Sequence, residues 1–352
     1  MAKERLFNLP QTRGSFQLKG KVSGVEKNTF YTEKKTQNGN DFRAVNFGVT
    51  YDENSTVYVG INGMPKDKVH FSKRVAKGEK SETKAVDWNY RNSFAEDGYN
   101  LIGITCGIEQ KRNDKGGIDN VSKVMVEYDA AQYLNSYLED QMDVFMSGNI
   151  EFNSFTNKKG ETICGVNYRP TRIYSCKTPI DFDDEKYEPQ HDFKQTIVFK
   201  EINQEKEDDK PTGRFIVSAW IVNYGSIENT DFIVEDKAGA TFIKKKMHEY
   251  EAVTVWGKIN CRTIVEEVEE SSGWGTPDPT KRVSRPTVRE MVITGGDWDN
   301  IDKETYTEKE MNKAFDAIRK SKNAEENFAD SKDDKETDSW GSADSFDEDS
   351  PW

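Results

Sequence analysis

The feature that most constrains the fold is a helix-and-strand pattern that occurs twice in the sequence, 109 residues apart. Apolar residues or a glycine occupy the same seven positions in both copies without a gap. The matching pairs are Tyr133 and Phe242, Leu134 and Ile243, Leu138 and Met247, Val144 and Val253, Met146 and Val255, Gly148 and Gly257, and Ile150 and Ile259. Single matches arise by chance, but seven in register favour a duplication. We therefore expect two related structural units.

The first unit shows the alternation of apolar and polar residues that is typical of strands. The pattern covers residues 16–25, 42–50 and 57–62, where Gly48 and Gly60 favour sharply bent strands. A helical segment at 130–138 and a strand at 144–150 follow, and a turn at 157–160 leads into a last strand at 163–174. Three strands, a helix and two strands is the order of an oligonucleotide-binding (OB) barrel.

The second unit repeats this order. We predict strands at 193–202, 214–224 and 227–234, a helix at 238–249, and closing strands at 253–265 and 287–294. The expected fold is mainly β, with two tandem OB-fold barrels, a short C-terminal helix and a disordered acidic tail. The predicted divisions are a first barrel over 1–177 with a long basic insertion at 63–127, a linker at 178–190, a second barrel over 191–296, a short helix within 297–320 and the tail at 321–352.

The C-terminal helix is predicted from its start signal and its apolar stripe. Thr307 and Glu310 have the spacing of a capping box, and Met311, Phe315 and Ile318 recur at helical intervals. Beyond Ser321 the content of Asp, Glu, Ser and Lys is too polar to order itself by burial. We therefore expect a disordered tail there.

Charge is distributed unevenly along the chain, whose net charge is −13. Residues 1–178 carry 26 Lys and Arg against 22 Asp and Glu, whereas residues 179–295 carry 16 against 23. Residues 321–352 carry 3 against 11. Because phosphate binding needs cations, this division places any nucleic-acid surface in the first unit.

Strands two and three of an OB barrel form its ligand face. Alternation puts Val57, Val59 and Ile61 in the core and Tyr58 on the other face, where a base could stack on its ring. An incidental surface aromatic remains the alternative. By the same argument Val45, Phe47 and Val49 point inward and Phe42 outward, and Arg43 reaches water from the strand end.

Two loops that flank this face combine basic and aromatic residues, and the insertion would form a cationic flap over it. An ordinary solvated hairpin is the alternative for each loop, and a disordered connection is the alternative for the insertion. The residues expected to contact DNA are Phe30, Tyr31, Lys34, Lys35, Phe42, Arg43, Tyr58, Lys73, Arg74, Trp88, Tyr90, Phe155, Lys158, Lys159, Tyr168, Arg169 and Arg172.

The second unit offers fewer such residues. Its linker and the 201–209 loop are acidic, and Trp220 and Trp256 lie in apolar strands, which favours core positions. We expect a structural or protein-contact role, with residual DNA contact through Arg214.

No motif in the sequence indicates an enzyme, and no cofactor is implied. The chain lacks a phosphate-binding loop and a nucleophile elbow, and its three His and four Cys show no metal-ligand spacing. No apolar run approaches a membrane span, and the N-terminus lacks the apolar stretch of a signal peptide. These patterns predict a soluble, cytoplasmic protein.

The last residues combine carboxylates with Pro and an aromatic, which suits a basic-rimmed apolar pocket on a partner. The residues are Phe346, Asp347, Glu348, Asp349, Pro351 and Trp352. They resemble the C-terminal tip of bacterial single-stranded DNA-binding proteins, in which an acidic tail ends in Pro-Phe and recruits replication and repair partners. A tail that only adds solubility is the alternative.

The resemblance covers the strand order of the first unit and the tip. The chain looks like the proteins of this type that large bacterial viruses encode. It implies sequence-independent binding of single-stranded DNA in viral replication and recombination, with a helicase, polymerase or recombinase recruited by the tip. In a viral protein the compartment would be the host cytoplasm. Homo-oligomers are compatible with it. The alternatives are an OB-fold adaptor or viral structural protein without DNA binding, and an accessory loader of a helicase or recombinase.

Overall fold

A computed structural model describes residues 5–73, 75, 79, 81–114, 116–156, 162–263 and 287–330. The chain begins with strands β1 (Gly14–Ser23), β2 (Tyr31–Lys35), β3 (Asp41–Asp52) and β4 (Ser55–Gly63). As alternation predicts, the side chains of Val57, Val59 and Ile61 are buried, and so are those of Val45, Phe47 and Val49. Ala44 is also buried, although its position in β3 predicts an outward side chain.

The insertion contains secondary structure of its own. Its strands are β5 (Lys68–Lys73), β6 (Glu82–Asp87), β7 (Tyr99–Leu101), β8 (Ile104–Gly107), β9 (Gln110–Arg112), β10 (Ile118–Asn120) and β11 (Lys123–Met125), with a short 3-10 helix at Trp88–Tyr90. Strands β6, β5 and β7 form a separate sheet, and Val69, Phe71 and Val126 make a small core beneath it. The insertion is therefore tied to the first unit by packing.

A ring of five paired strands closes around the first core. After helix α1 (Glu127–Tyr137) come β12 (Asp143–Thr156) and β13 (Thr162–Ser175). The pairings run β1–β3, β3–β4, β4–β13, β13–β12 and β12–β1, and the β4–β13 contact is parallel and joins Val59 to Tyr168. We call β1, β3, β4, β13 and β12 the first ring.

The second unit forms a ring of the same order. Its elements are β14 (His191–Glu207), β15 (Lys210–Val222), β16 (Ile227–Val234), α2 (Lys237–Lys246), β17 (Ala252–Thr263) and β18 (Thr287–Gly296). The pairings run β14–β15, β15–β16, β16–β18, β18–β17 and β17–β14, and the parallel β16–β18 contact joins Ile233 to Val292. We call these five strands the second ring.

The predicted repeat of helix and strand is confirmed, and it extends to backbone details. The end of α2 and the start of β17 lie 109 residues after their counterparts in α1 and β12, and the start of α2 lies 110 residues after that of α1. Gln141 and Tyr250, also 109 apart, both have positive φ angles. A bulge falls at Gly148 and at Gly257, where a Cβ atom would overlap the facing carbonyl oxygen of Arg169 or Val292.

The mainly β fold is confirmed, but the two rings are not independent tandem units. Strand β1 pairs with β14 as well as with its own ring, and Ser55 of β4 pairs with Arg262 of β17, so 13 strands form one sheet. The sequence did not predict these pairings between the rings, because alternation indicates strands and their faces but not which strand edges pair.

Tyr51 and His191 connect the two rings. The Tyr51 hydroxyl donates to the Ile259 carbonyl oxygen (3.2 Å) and accepts from the Cys261 N–H (3.1 Å). His191 stacks on the Tyr51 ring (4.2 Å between centroids) and its Nδ1 donates to the Ile259 carbonyl oxygen (2.6 Å). The segment between β13 and β14 packs here too, since the Tyr187 hydroxyl donates to the Tyr51 carbonyl oxygen (2.9 Å).

The predicted C-terminal helix is present as α3 (Glu308–Asp330), ten residues longer than expected. Residues 321–330 contain no Gly or Pro, so the propensity for helix persists past the apolar stripe. Met311 and Ala314 are fully buried in a cluster with Phe7 and Trp220. Among the described residues, no helix is long and apolar enough to cross a membrane.

The two tryptophans predicted to lie in the second core differ. Trp220 is buried and stacks on Tyr250 (5.1 Å), as expected. Trp256 is 41% exposed, so that prediction is wrong. The bulge beside Gly257 changes the direction of the side chain relative to a regular strand.

We predict that His191 makes stability depend on pH. Burial lowers the pKa of His191 from its ordinary value of 6.5. As the pH falls through 6.5, the unfolded chain therefore binds a proton that the folded chain does not, and the free energy of unfolding decreases. Urea unfolding at about pH 7.5 and about pH 5.5 should show a larger loss for the wild type than for His191→Gln.

The control is His70→Gln, because the side chain of His70 is exposed. This variant should keep the pH dependence of the wild type. Equal losses for the wild type and His191→Gln would contradict the assigned role.

Candidate nucleic-acid interface

The outer face of the first ring is formed by β3, β4 and the middle of β13. Gly48 of β3 lies opposite Tyr58 of β4, and Asn46 lies opposite Gly60. Tyr58 is half-buried and Asn46 is exposed. A Cβ atom on Gly48 would lie 3.3 Å from the Tyr58 ring, so the ring covers that glycine. The face therefore presents one aromatic ring among small residues, as predicted.

Arg169 extends this face from β13. Its Nη1 donates to the Gly60 carbonyl oxygen (3.3 Å) and its Nε donates to Glu151 (3.0 Å). Its side chain keeps 29% of its surface exposed. We call Asn46, Gly48, Tyr58, Gly60 and Arg169 the ring-one face. It brings the Arg169 cation to Gly60, two residues after Tyr58 in β4.

The hairpin of β2 and β3 places Arg43 in a network rather than in open solvent. Arg43 donates twice to Glu33 Oε1 (3.0 and 2.8 Å), and its guanidinium lies 4.1 Å from the centre of the Tyr128 ring. The Tyr31 hydroxyl donates to Glu33 Oε2 (2.9 Å). The hydrogen bonds from Arg43 and then Tyr31 lower the pKa of Glu33. Because Arg43 already has a carboxylate partner, we expect it to contribute less to phosphate binding than an unpaired cation would.

The lysines of the same hairpin differ from each other. Lys35 is paired with Asp41 at 2.8 Å, in an exposed ion pair of the kind that contributes little to stability. Lys34 is exposed, and no ion pair within the described residues involves it. Phe42 is half-buried beside them. Lys34 is therefore the cation of this hairpin most available to a phosphate.

The insertion joins this network through Trp88. The Trp88 ring meets Tyr128 edge-on (6.1 Å between centroids), and Arg91 lies 4.4 Å above Trp88. Arg91 also donates to both carboxylate oxygens of Asp129 (2.7 and 3.1 Å). Trp88, Tyr128 and Arg43 therefore form a continuous contact from the insertion to the β2–β3 hairpin.

Other aromatic residues of the insertion are more accessible. Tyr90 is 60% exposed, so its ring is open to a ligand. The amine of Lys73 lies 5.7 Å from the Tyr99 ring centre. The roles of Lys73, Trp88 and Tyr90 in DNA binding stay predictions.

The β12–β13 hairpin carries exposed apolar side chains and leans on the second ring. Phe155 and Ile163 pair across the hairpin and are 52% and 43% exposed. At its base, Ser154 and Ser226 both donate to the buried carboxylate of Glu228. The second ring therefore fixes the direction of a hairpin that belongs to the first.

Two predicted contact residues lie in the core instead. Phe30 is 3% exposed and meets Phe47 edge-on (6.4 Å), and Tyr168 is 8% exposed and meets Phe16 (5.4 Å). The sequence pattern cannot distinguish an exposed aromatic residue in a loop from one that packs into the core at the end of the ring. Phe30 was therefore predicted to be exposed although it is buried. The bulge at Ser147 and Gly148 shifts the register of β13, which explains Tyr168. Neither ring can stack on a base, so these two predictions are corrected.

The remaining predicted residues fall in different places. Arg172 is exposed but lies where β13 pairs with Thr105 of β8, beyond the contact with β4. Arg74, Lys158, Lys159 and the tip residues Phe346 to Trp352 lie outside the described residues. Within the part of the chain that is described, no group of three or more His, Cys, Asp or Glu could hold a metal ion.

Sequence reasoning missed Tyr128, Glu33 and Glu228. Tyr128 and Glu33 hold Arg43, and Glu228 anchors the β12–β13 hairpin. No local pattern marks Tyr128 and Glu228, because their partners Arg43 and Ser154 are distant in sequence. A charge-complementarity search across the hairpin could have paired Glu33 with Arg43, since these two residues lie opposite in the register.

The fold and the ring-one face define a mainly β protein made of a duplicated five-stranded unit. A family model described as YorF matches residues 13–331, and the chain belongs to the YorF family. No curated protein sequence matches the chain.

Two solved structures of the single-stranded DNA binding protein from Thermus aquaticus are similar to the chain. A deletion mutant is 11% identical with a TM-score of 0.35, covering 74% of this chain and 99% of that one. The wild type is 8% identical with a TM-score of 0.35, covering 72% of this chain and 87% of that one. These values are too low to indicate a shared function.

We predict that truncation of Phe30, in the loop before β2, and truncation of Phe155, in the β12–β13 hairpin, have different effects on stability. Phe30→Ala should lower the free energy of unfolding by about 3 to 5 kcal/mol, because a buried ring leaves a cavity. Phe155→Ala should change it by less than about 0.5 kcal/mol, because the side chain is exposed. Urea unfolding measures both, and similar effects would contradict the assigned burial.

Proposed function

We propose that the chain binds single-stranded DNA without sequence preference on the ring-one face. The observation that carries the proposal is that Arg169 of β13 donates to the carbonyl oxygen of Gly60, which lies two residues after Tyr58 in β4, while Gly48 lies opposite Tyr58. Such binding needs aromatic faces on which bases stack and cations that follow the backbone. An aromatic ring flanked by glycine leaves space above the sheet for a base.

We further propose that each ring is an OB barrel. The pairing order of the first ring, with α1 between its third and fourth strands, supports this assignment. The second ring has the same order around α2. In OB barrels the ligand lies across the second and third strands, here β3 and β4, between flanking loops. The ring-one face occupies that position.

The flanking hairpins would extend the path of the strand. Exposed Phe155 and Ile163 lie on one side, and exposed Lys34 lies on the other. Tyr90 would add a further stacking surface from the insertion. A path over several such groups distributes the binding energy, each stacked base contributing about 1 to 3 kcal/mol.

The second ring would serve structure and protein contact. Arg214, its predicted DNA contact, is paired with Glu205 (3.6 Å) and Glu290 (2.6 Å). Nearby, Ser218 donates to Asp231 (2.6 Å). Arg214 is held between two carboxylates, whereas Arg169 has one carboxylate partner, Glu151, so the proposal keeps DNA on the first ring.

The acidic tip would recruit partners. Its carboxylates and aromatics suit a basic-rimmed apolar pocket, as on a helicase, polymerase or recombinase. The setting would be viral DNA replication and recombination, and the chain itself would catalyse no reaction.

We predict that Tyr58→Ala weakens binding of oligo-dT about tenfold, because it removes a stacking surface. Arg169→Ala should weaken it by several-fold through loss of a backbone contact. Fluorescence anisotropy of a labelled oligo-dT measures both. Trp256→Ala, which removes an exposed aromatic of the second ring, is the control and should leave the affinity unchanged.

Unfolding curves must show that the Tyr58 and Arg169 variants remain folded at the assay temperature. Unchanged affinity in both folded variants would place the DNA elsewhere or refute binding. An equal loss in Trp256→Ala would show that the effect is not local.

A second prediction concerns the tip. Deleting residues 347–352 should leave the affinity for oligo-dT equal or higher, because the deletion removes three acidic side chains that repel phosphates. It should abolish capture of a replication or recombination protein by the immobilised chain, with Trp352→Ala as the narrower variant. Retained capture after the deletion would refute a recruiting tip.

A further inference from the structure

The duplicated helices differ in what covers them. In the first ring, Tyr133 of α1 is 9% exposed, and the Lys123 amine lies 4.8 Å from its ring centre. Lys123 belongs to β11 and pairs with Glu109, so the insertion supplies both charges. The apolar position on α1 is therefore closed by a segment that contains an ion pair.

In the second ring the same position is open. Phe242 of α2, the counterpart of Tyr133, is 43% exposed and meets the Trp298 ring edge-on (5.5 Å). Only two residues separate β16 from α2, whereas the insertion separates β4 from α1. Within the described residues, the connection from β16 to α2 is therefore too short to cover the helix as the insertion covers α1.

The open position is part of a shallow groove with a basic rim. Its lining consists of Lys237, Ala238, Thr241, Phe242 and Lys245. Spacings of three and four residues put these side chains on one face of α2. We call this set the α2 groove. It combines an apolar floor with two lysines, which suits a ligand with aromatic and carboxylate groups.

One segment of the chain has that composition. Residues 344–352 carry Asp344, Asp347, Glu348 and Asp349 together with Phe346 and Trp352, and contain no Lys or Arg. Attraction between this segment and the two lysines is favourable and depends on salt.

The segment can also reach the groove. Phe346 follows the end of α3 by 16 residues, a length that spans about 50 Å when extended. Helix α3 is about 35 Å long, so the chain can return to the region where α3 begins. Trp298 lies ten residues before that start and is itself in contact with Phe242.

We propose that residues 344–352 dock in the α2 groove of their own chain, where an aromatic side chain covers Phe242 and Trp298 and carboxylates pair with Lys237 and Lys245. The docked segment is the counterpart of the insertion that covers Tyr133. Docking would withhold the tip from other proteins until a partner with a stronger basic pocket displaces it. The inference does not depend on DNA binding by the first ring.

The test is photo-crosslinking in the full chain, with Phe346 replaced by p-benzoylphenylalanine. After irradiation at low ionic strength, mass spectrometry should locate crosslinks in the peptides that contain residues 237–245 or Trp298. The products should have the mass of a single chain. Raising the salt to about 0.5 M should reduce the yield several-fold, because charge attraction is screened.

The variant Lys237→Glu with Lys245→Glu should reduce the yield at least fivefold. Its matched control is Lys206→Glu with Lys210→Glu, which makes the same charge change at exposed residues of the β14–β15 hairpin and should leave the yield unchanged. Crosslinks to the first ring, products only of two chains, or equal losses in both double variants would overturn the proposal. Absence of crosslinks at low ionic strength would also overturn it.

Discussion

The parallel contact of β4 with β13, at Val59 and Tyr168, is the interaction on which the candidate interface depends. Without it, β3–β4 and β12–β13 would be two hairpins joined only through β1. The buried edge-on contact of Tyr168 with Phe16 supports this closure from the inside. On the outside, the side chain of the next residue, Arg169, thereby reaches the carbonyl oxygen of Gly60 in β4. Because Tyr168 is buried and Arg169 is partly exposed, β13 contributes to the ring-one face although it is distant in sequence from β3 and β4.

The duplication has preserved the backbone more closely than the side chains. The helix ends, the positive φ residues Gln141 and Tyr250, and the bulges at Gly148 and Gly257 recur at one offset. These features shape a closed ring, so both copies need them. The outer surfaces are under no such constraint, and they have diverged. The second ring uses its surface to hold α3 through Trp220 and the β12–β13 hairpin through Glu228.

The sequence predicted the strands, the repeat and the faces of β3 and β4, because alternation depends only on local burial. It did not predict that β1 pairs with β14, since edge pairing depends on long-range register. It placed Tyr58 on the outer face and Arg169 in a flanking hairpin, but it misplaced Phe30 and Tyr168, whose burial depends on a loop path and on a bulge. It also treated Arg43 as available, although Glu33 and Tyr128 hold it. Each of these differences depends on strand pairing, a loop path, a bulge or a side-chain contact, none of which alternation encodes.

The central claim is that the first ring holds a single strand through stacking and phosphate contacts. Its most direct test is the titration of the full chain with a labelled oligo-dT and with a duplex of equal length, at two salt concentrations. The account predicts submicromolar affinity for the single strand at low salt, weaker affinity for the duplex, and a loss of affinity at higher salt whose slope counts the phosphates contacted. Absence of binding to oligo-dT at low salt would contradict it.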